Sequence, residues 1–122
     1  MTGGTLAGPG LYAMDTPNCA PEHLTALAAA GCQLMLFTTG VGNGFVSGLA
    51  PTLKICANQQ SCRMLQTQID IPLSEGPNGS LRLPDSASRT HDAMKATADG
   101  QLTWGETASD GDDIISRFGA VR

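Results

Sequence analysis

Leu34-Met35-Leu36-Phe37 runs directly into Thr38-Thr39-Gly40-Val41-Gly42-Asn43-Gly44. Four bulky apolar residues followed by two hydroxyls and three alternating glycines describe a buried strand that ends in a loop with almost no side chains. Such a loop either turns tightly or lets another group approach its backbone. The preceding residues predict how the strand is reached. Gly10-Leu11-Tyr12-Ala13-Met14 is a short apolar run giving way to Asp15, Thr16 and Pro17, the pattern of another buried strand ending in a polar loop. Pro21 suits the first turn of a helix, Leu24, Leu27 and Ala28 share one of its faces, and Gly31 stops it. A strand to Met14, a helix from Pro21 and a strand over 33–37 make a βαβ unit, which lays its strands parallel with a right-handed crossover.

The alternation in Thr52 to Ala57 predicts a third strand, and Asn58 is placed to cap a helix running to about Gln66 with Cys62 and Leu65 inward. Ile69-Asp70-Ile71 reads as a short fourth strand, and residues 72–84, rich in Pro, Gly and Ser, as a loop. A last helix is expected from Asp85 or Ser86 to Gly100, and a closing strand over Asp113 to Phe118. The 122 residues suit one domain. The expected class is α/β: a small three-layer, Rossmann-like, mostly parallel sheet with flanking helices, its core over 10–71.

Charge divides the chain unevenly. Residues 1–62 contain only Asp15, Glu22 and Lys54, while the other nine acids and six bases follow. The first half reads as interior, so a subunit contact, at least a homodimer, or a partner domain is expected against it. A net charge of −4 with scattered bases gives no basic patch for nucleic acid. The longest apolar run, Leu24 to Phe37, is broken by Gly31 and Gln33 and falls short of the roughly 18 residues that span a bilayer. The N-terminus lacks the basic start of a secretory signal, and a cytoplasmic location is expected. Cys19, Cys32, Cys56 and Cys62 form no C-x-x-C pair and read as reduced, buried thiols rather than metal ligands.

In open α/β sheets, ligands bind outside the carboxyl ends of the parallel strands. Asp15-Thr16-Pro17 and Thr38-Thr39-Gly40 both follow expected strands joined by one crossover helix, so they should share that edge. Gly40, Gly42 and Gly44 would let backbone N–H groups face outward and the threonines would add donors, a combination suited to a carboxylate. The loop is neither a P-loop, which needs a lysine, nor a dinucleotide fingerprint. Lys54 is the only base of the first half; if buried, its partner by topology would be Asp15, and a solvent-facing edge lysine is the alternative. The candidate substrate-binding residues are Asp15, Thr16, Thr38, Thr39, Gly40, Gly42 and Lys54. His23 and His91 read as surface or capping residues and Trp104 as packing, and no catalytic triad or metal cluster is visible.

The motifs G-L-Y-A-M-D-T-P (10–17), A-A-G-C-Q-L-M-L-F-T-T-G-V-G-N-G (29–44), A-P-x-L-K-I (50–55) and A-N-x4-R-M (57–64) resemble, in order and spacing, the C-terminal region of the altronate and galactarate dehydratases, the UxaA-type hydro-lyases. The match is looser after residue 71, where G-Q-L-T-W-G-E and D-D-I-I-S-R-F-G are similar to the family's closing segments. The resemblance implies dehydration of a sugar acid to a 2-keto-3-deoxy acid, dependence of the complete enzyme on a divalent metal such as iron or manganese, and a substrate carboxylate or hydroxyls held at the Thr-Thr-Gly loop beside Asp15 and Thr16. Two departures stand out. Val41 occupies the place of the family's arginine in T-T-G-R-G, and family enzymes are several times longer. The resemblance thus implies a domain or fragment inactive without a partner, binding no metal alone; the alternative is a non-catalytic small-anion binding or assembly module.

Overall fold

The computed structural model describes residues 6–75 and 81–114. A three-stranded parallel sheet of order β1-β2-β3 carries the fold, with β1 at Met35–Thr38, β2 at Thr52–Cys56 and β3 at Ile71–Pro72. Helices flank it: α1 at Ala20–Ala29, α2 at Gln59–Met64, α3 at Leu83–Ala98 and α4 at Trp104–Ala108. This is the small parallel α/β fold expected, with one strand fewer at its start.

Residues 10–14 are not a strand. Leu11 is fully exposed, and the Tyr12 hydroxyl donates to the Gly8 carbonyl at 2.8 Å, closing the segment on itself. A strand needs a partner for its amides and carbonyls, and this segment satisfies a polar group locally instead. The expected βαβ unit across α1 is therefore absent. The parallel pairs are β1 with β2, through the helix-free loop 39–51, and β2 with β3, through α2.

Helix α1 starts as its sequence requires, with proline in the first turn and Glu22 near the positive end of the helix dipole. Leu24 is buried with Met35 and Ala50, and Leu27, Ala28, Cys32, Phe37 and Phe45 pack around them. Each large aliphatic side chain withdrawn from water there contributes about 1.5–3 kcal/mol. Register places Met35 beside Thr52 and Phe37 beside Lys54, so these four share a face of the sheet. Leu53, on the opposite face, borders a cleft shared with Ala93 and Thr97 of α3.

Asn58 caps α2 as expected, its side chain accepting from the Ser61 amide, but the helix ends at Met64. Cys62 and Leu65 are half-buried. Strand β3 lies one to two residues later than its apolar pattern suggests because Asp70 is used differently. Its amide donates to the Lys54 carbonyl, and its carboxylate accepts the Lys54 amide at 2.8 Å and the Trp104 amide at 2.8 Å. One side chain thus joins the central strand to the start of α4. Helix α3 begins two residues ahead of the expected start, with a proline in its first turn and an Arg82–Asp85 ion pair. Arg89 ties it to the sheet by donating to the Pro72 carbonyl at 2.7 Å and pairing with Glu75.

Helix α4 was not expected, yet its signal is present in Thr103-Trp104-Gly105-Glu106. The Thr103 hydroxyl accepts from the Glu106 amide while the Glu106 carboxylate accepts from the Thr103 amide, a reciprocal capping box. Trp104 is 41% exposed rather than packed. The packing residue is its neighbour: a Cβ on Gly105 would lie 2.5 Å from a Val46 methyl. Asp113 and Ile114 form no strand, and the remainder of the expected strand, 115–118, lies outside the described residues. Asp113 instead accepts from the Ser47 hydroxyl and the Gly48 amide, and the Ile114 amide donates to the Thr25 hydroxyl.

Gly105→Ala should lower stability by about 1–3 kcal/mol through overpacking, and Val46→Ala in the same chain should recover part of that loss. Urea unfolding of the single and double variants reads the coupling.

Candidate functional site

The loop after β1 is built mostly from its own hydrogen bonds. The Thr39 amide donates to the Ile55 carbonyl at 2.9 Å, carrying the ladder one residue past β1. The Thr39 hydroxyl accepts from the Gly42 amide at 3.0 Å, and the Asn43 side chain accepts from the Phe45 amide at 2.9 Å. The Gly40 carbonyl accepts from the Ser61 hydroxyl at 2.9 Å, binding the loop to α2. Gly42 has φ of +89° and a Cβ there would fall 2.1 Å from a Leu65 methyl. That glycine is required by the backbone and by Leu65, not by a ligand.

Among the described residues, the amides of Gly40, Val41, Asn43 and Gly44 have no hydrogen-bond partner. At Gly40 a Cβ would meet nothing within 4 Å. A cleft of about 360 Å³ lies here, lined by Thr38, Thr39, Gly40, Ile55, Asn58 and Leu73. These residues end or directly follow the three parallel strands, so the cleft occupies the carboxyl edge where α/β sheets receive ligands.

Of the seven candidate residues, the structure brings Thr38, Thr39 and Gly40 together in that cleft. Gly42 supports the turn behind them. Asp15 and Thr16 lie ahead of α1 and are not among the lining residues. Thr16 has its hydroxyl against Nδ1 of the exposed His23, a pairing that spacing did not suggest.

Lys54 does not reach the cleft. It is 2% exposed in the central strand, and its Nζ donates to the Gly44 carbonyl at 3.1 Å, bracing the far end of the loop. The solvent-facing alternative is overturned because β2 has a strand on each side. The carboxylates acting on it are Asp70 and Asp110 rather than Asp15. Burial pulls the ammonium below its ordinary value, against the opposing pull of those two charges. Burial likewise pushes the Cys56 thiol up; its Sγ lies 3.9 Å from the Gly40 carbonyl, and Cys62 Sγ lies 3.3 Å from the Cys56 carbonyl.

With this arrangement established, comparison with known proteins is decisive. Residues 1–121 match the family described as "D-galactarate/Altronate dehydratase, C-terminal". The chain belongs to that family. It is 30% identical over 114 residues to the (2R)-sulfolactate sulfo-lyase subunit beta of Chromohalobacter salexigens, covering 93% of this chain and 29% of that protein. It is 31% identical over 104 residues to altronate dehydratase of Escherichia coli, covering 85% and 21%, respectively. The altronate dehydratase of Bacillus subtilis is 41% identical over 58 residues, 48% of this chain and 12% of that enzyme. The chain therefore spans less than a third of the length of these relatives.

Among the described residues, no three His, Cys, Asp or Glu side chains converge to hold a metal ion. No helix among those residues is long and apolar enough to cross a membrane. The site residues that sequence reasoning passed over are Asn58, which lines the cleft, Ser61, which holds the Gly40 carbonyl from α2, and Asp70, whose role required knowing that Trp104 begins a helix.

Lys54 carries a pH signature. Below its folded pKa the cost of burying the charge is present in full. Between that value and the ordinary 10.5 the native state binds fewer protons than the unfolded chain, so stability rises with pH. Relative to Lys54→Met, the wild type should gain stability as pH is raised through this window. A constant difference in denaturant unfolding would contradict it.

Proposed function

We propose that this chain forms the C-terminal part of a sugar-acid hydro-lyase site, completed by a second stretch of polypeptide. The observation carrying this reading is the family match over residues 1–121 combined with a cleft at the carboxyl edge lined by Gly40, whose amide, like that of the adjoining Val41, is open. The relatives' names share a hydroxylated carboxylic acid. A carboxylate at the edge would accept from those amides and from the Thr38 hydroxyl, with charge-assisted hydrogen bonds contributing about 1.5–3 kcal/mol each. The reaction removes the proton beside the carboxylate; that electron pair forms the carbon–carbon double bond as the neighbouring hydroxyl leaves as water, and the enol relaxes to the 2-keto-3-deoxy acid. The part assigned to this chain is to bind and orient the acid. Base and metal donors are assigned to the completing polypeptide.

A separate partner is consistent with a relative named as a subunit beta and with the exposure of Leu11, Leu49 and Val41, the last 83% exposed. Val41 in the arginine position, together with internal use of the Thr39 and Gly42 hydrogen bonds, favours a second reading: a non-catalytic small-anion module that assembles with the enzyme.

The purified chain with galactarate or altronate and Fe²⁺ or Mn²⁺ should release no 2-keto acid, and product should form once the remaining dehydratase polypeptide is added. Product from neither mixture, with anion binding intact, would leave the second reading. Val41→Arg should tighten binding at the edge cleft by about tenfold by restoring a bidentate donor. Unchanged affinity in calorimetry would show that position 41 does not meet the ligand.

A further inference from the structure

The fold brings two of the four cysteines together. Cys56 ends β2 and is 1% exposed, while Cys62 lies on α2. The chain reverses between them at Asn58, whose carbonyl accepts from the Cys62 amide at 3.0 Å and lies 3.9 Å from Cys56 Sγ. The Cys62 thiol donates to the Cys56 carbonyl at 3.3 Å and is also a hydrogen-bonding neighbour of the Cys56 thiol. Two sulfurs held this way already have the approach that a disulfide requires. Cys19, by contrast, is exposed ahead of α1, and Cys32 packs with Leu24 and Met35.

The two thiols differ in access. Cys62 is half-buried and lines a cleft of about 520 Å³ between α2 and the chain leaving β3. Cys56 is not among the residues lining it, and burial pushes its thiol up, so it keeps its proton. A small oxidant entering the cleft therefore meets Cys62 first, with Cys56 behind it to resolve the product. The pair also touches the loop after β1. The Gly40 carbonyl accepts from the hydroxyl of Ser61, the residue before Cys62, and lies 3.9 Å from Cys56 Sγ.

We propose that Cys56 and Cys62 are a peroxide-reactive dithiol whose closure to a disulfide shifts the Gly40 end of the loop. The Cys62 sulfur attacks one oxygen of hydrogen peroxide; the O–O bond breaks, the sulfur becomes a sulfenic acid, and the other oxygen leaves as water with the thiol proton. The Cys56 sulfur then attacks the sulfenic sulfur; the S–O bond breaks, and the hydroxyl leaves as water with the Cys56 proton. One peroxide is reduced to two waters while two thiols are oxidised to one disulfide, which an added thiol reverses by exchange. Bridged sulfurs no longer donate, so the Cys62 bond to the Cys56 carbonyl is lost and Cys56 Sγ is drawn toward α2 and away from Gly40. The inference uses only the thiols and the loop, and stands apart from the dehydratase reading.

The test treats the folded full chain with hydrogen peroxide and blocks the remaining thiols. Tryptic peptide 55–63, which contains both Cys56 and Cys62, should lose the mass of two hydrogens, and a reductant should restore it. Cys56→Ala should stop at the sulfenic acid, which dimedone captures on Cys62, whereas wild type should yield little of that adduct. Cys62→Ala should give neither the bridge nor an adduct on Cys56. In the ¹⁵N-labelled wild type, bridging should shift the amides of residues 39–41, and peroxide should leave them in place in Cys62→Ala. Consumption of Cys19 while both thiols of peptide 55–63 stay open to alkylation, as much dimedone adduct in wild type as in Cys56→Ala, or a bridge that leaves residues 39–41 unmoved would overturn the proposal.

Discussion

Asp70 is the side chain through which the sheet, the last helix and the buried lysine communicate. One carboxylate oxygen takes the Lys54 amide from the central strand, the other takes the Trp104 amide at the start of α4, and its charge offsets part of the cost of burying the Lys54 ammonium. Lys54 in turn holds the Gly44 carbonyl at the end of the loop that follows β1. A carboxylate without these partners would be an uncompensated charge beside the core, and without it a buried lysine would lose its nearest counter-charge. The local geometry of the loop thus depends on a contact between residues 16 and 34 positions apart in sequence.

The glycine-rich loop divides its polar groups between internal bonds and open positions. Ladder, hydroxyl and amide bonds take the Thr39 and Gly42 amides and the Gly40 carbonyl, and Leu65 fills the space beside Gly42. Among the described residues the amides at 40, 41, 43 and 44 have no partner, and the one at 40 lies at the edge cleft beside Thr38 and Asn58.

Much of the fold was legible locally because local rules dominate there. Pro21 and Glu22 start α1, Asn58 caps α2, and the runs at 35–38 and 52–56 are short, apolar and flanked by polar punctuation. The segment 10–14 carried the same apolar signal and misled, since a strand exists only if a neighbour completes its ladder, and composition does not show whether one is present. For α4, the Thr103 to Glu106 spacing carried the capping signal, and the helix is simply shorter than periodicity can register.

The sequence by itself determined the class, the family and the position of the hydroxyl and glycine loop at the end of a parallel strand, because propensity, capping and motif order act over a few residues. Tertiary structure alone decided that Lys54 braces the loop from beneath and that its counter-charges are Asp70 and Asp110. Those outcomes depend on burial and on contacts between distant residues, where desolvation and pairing set the energy and spacing along the chain carries no information about either.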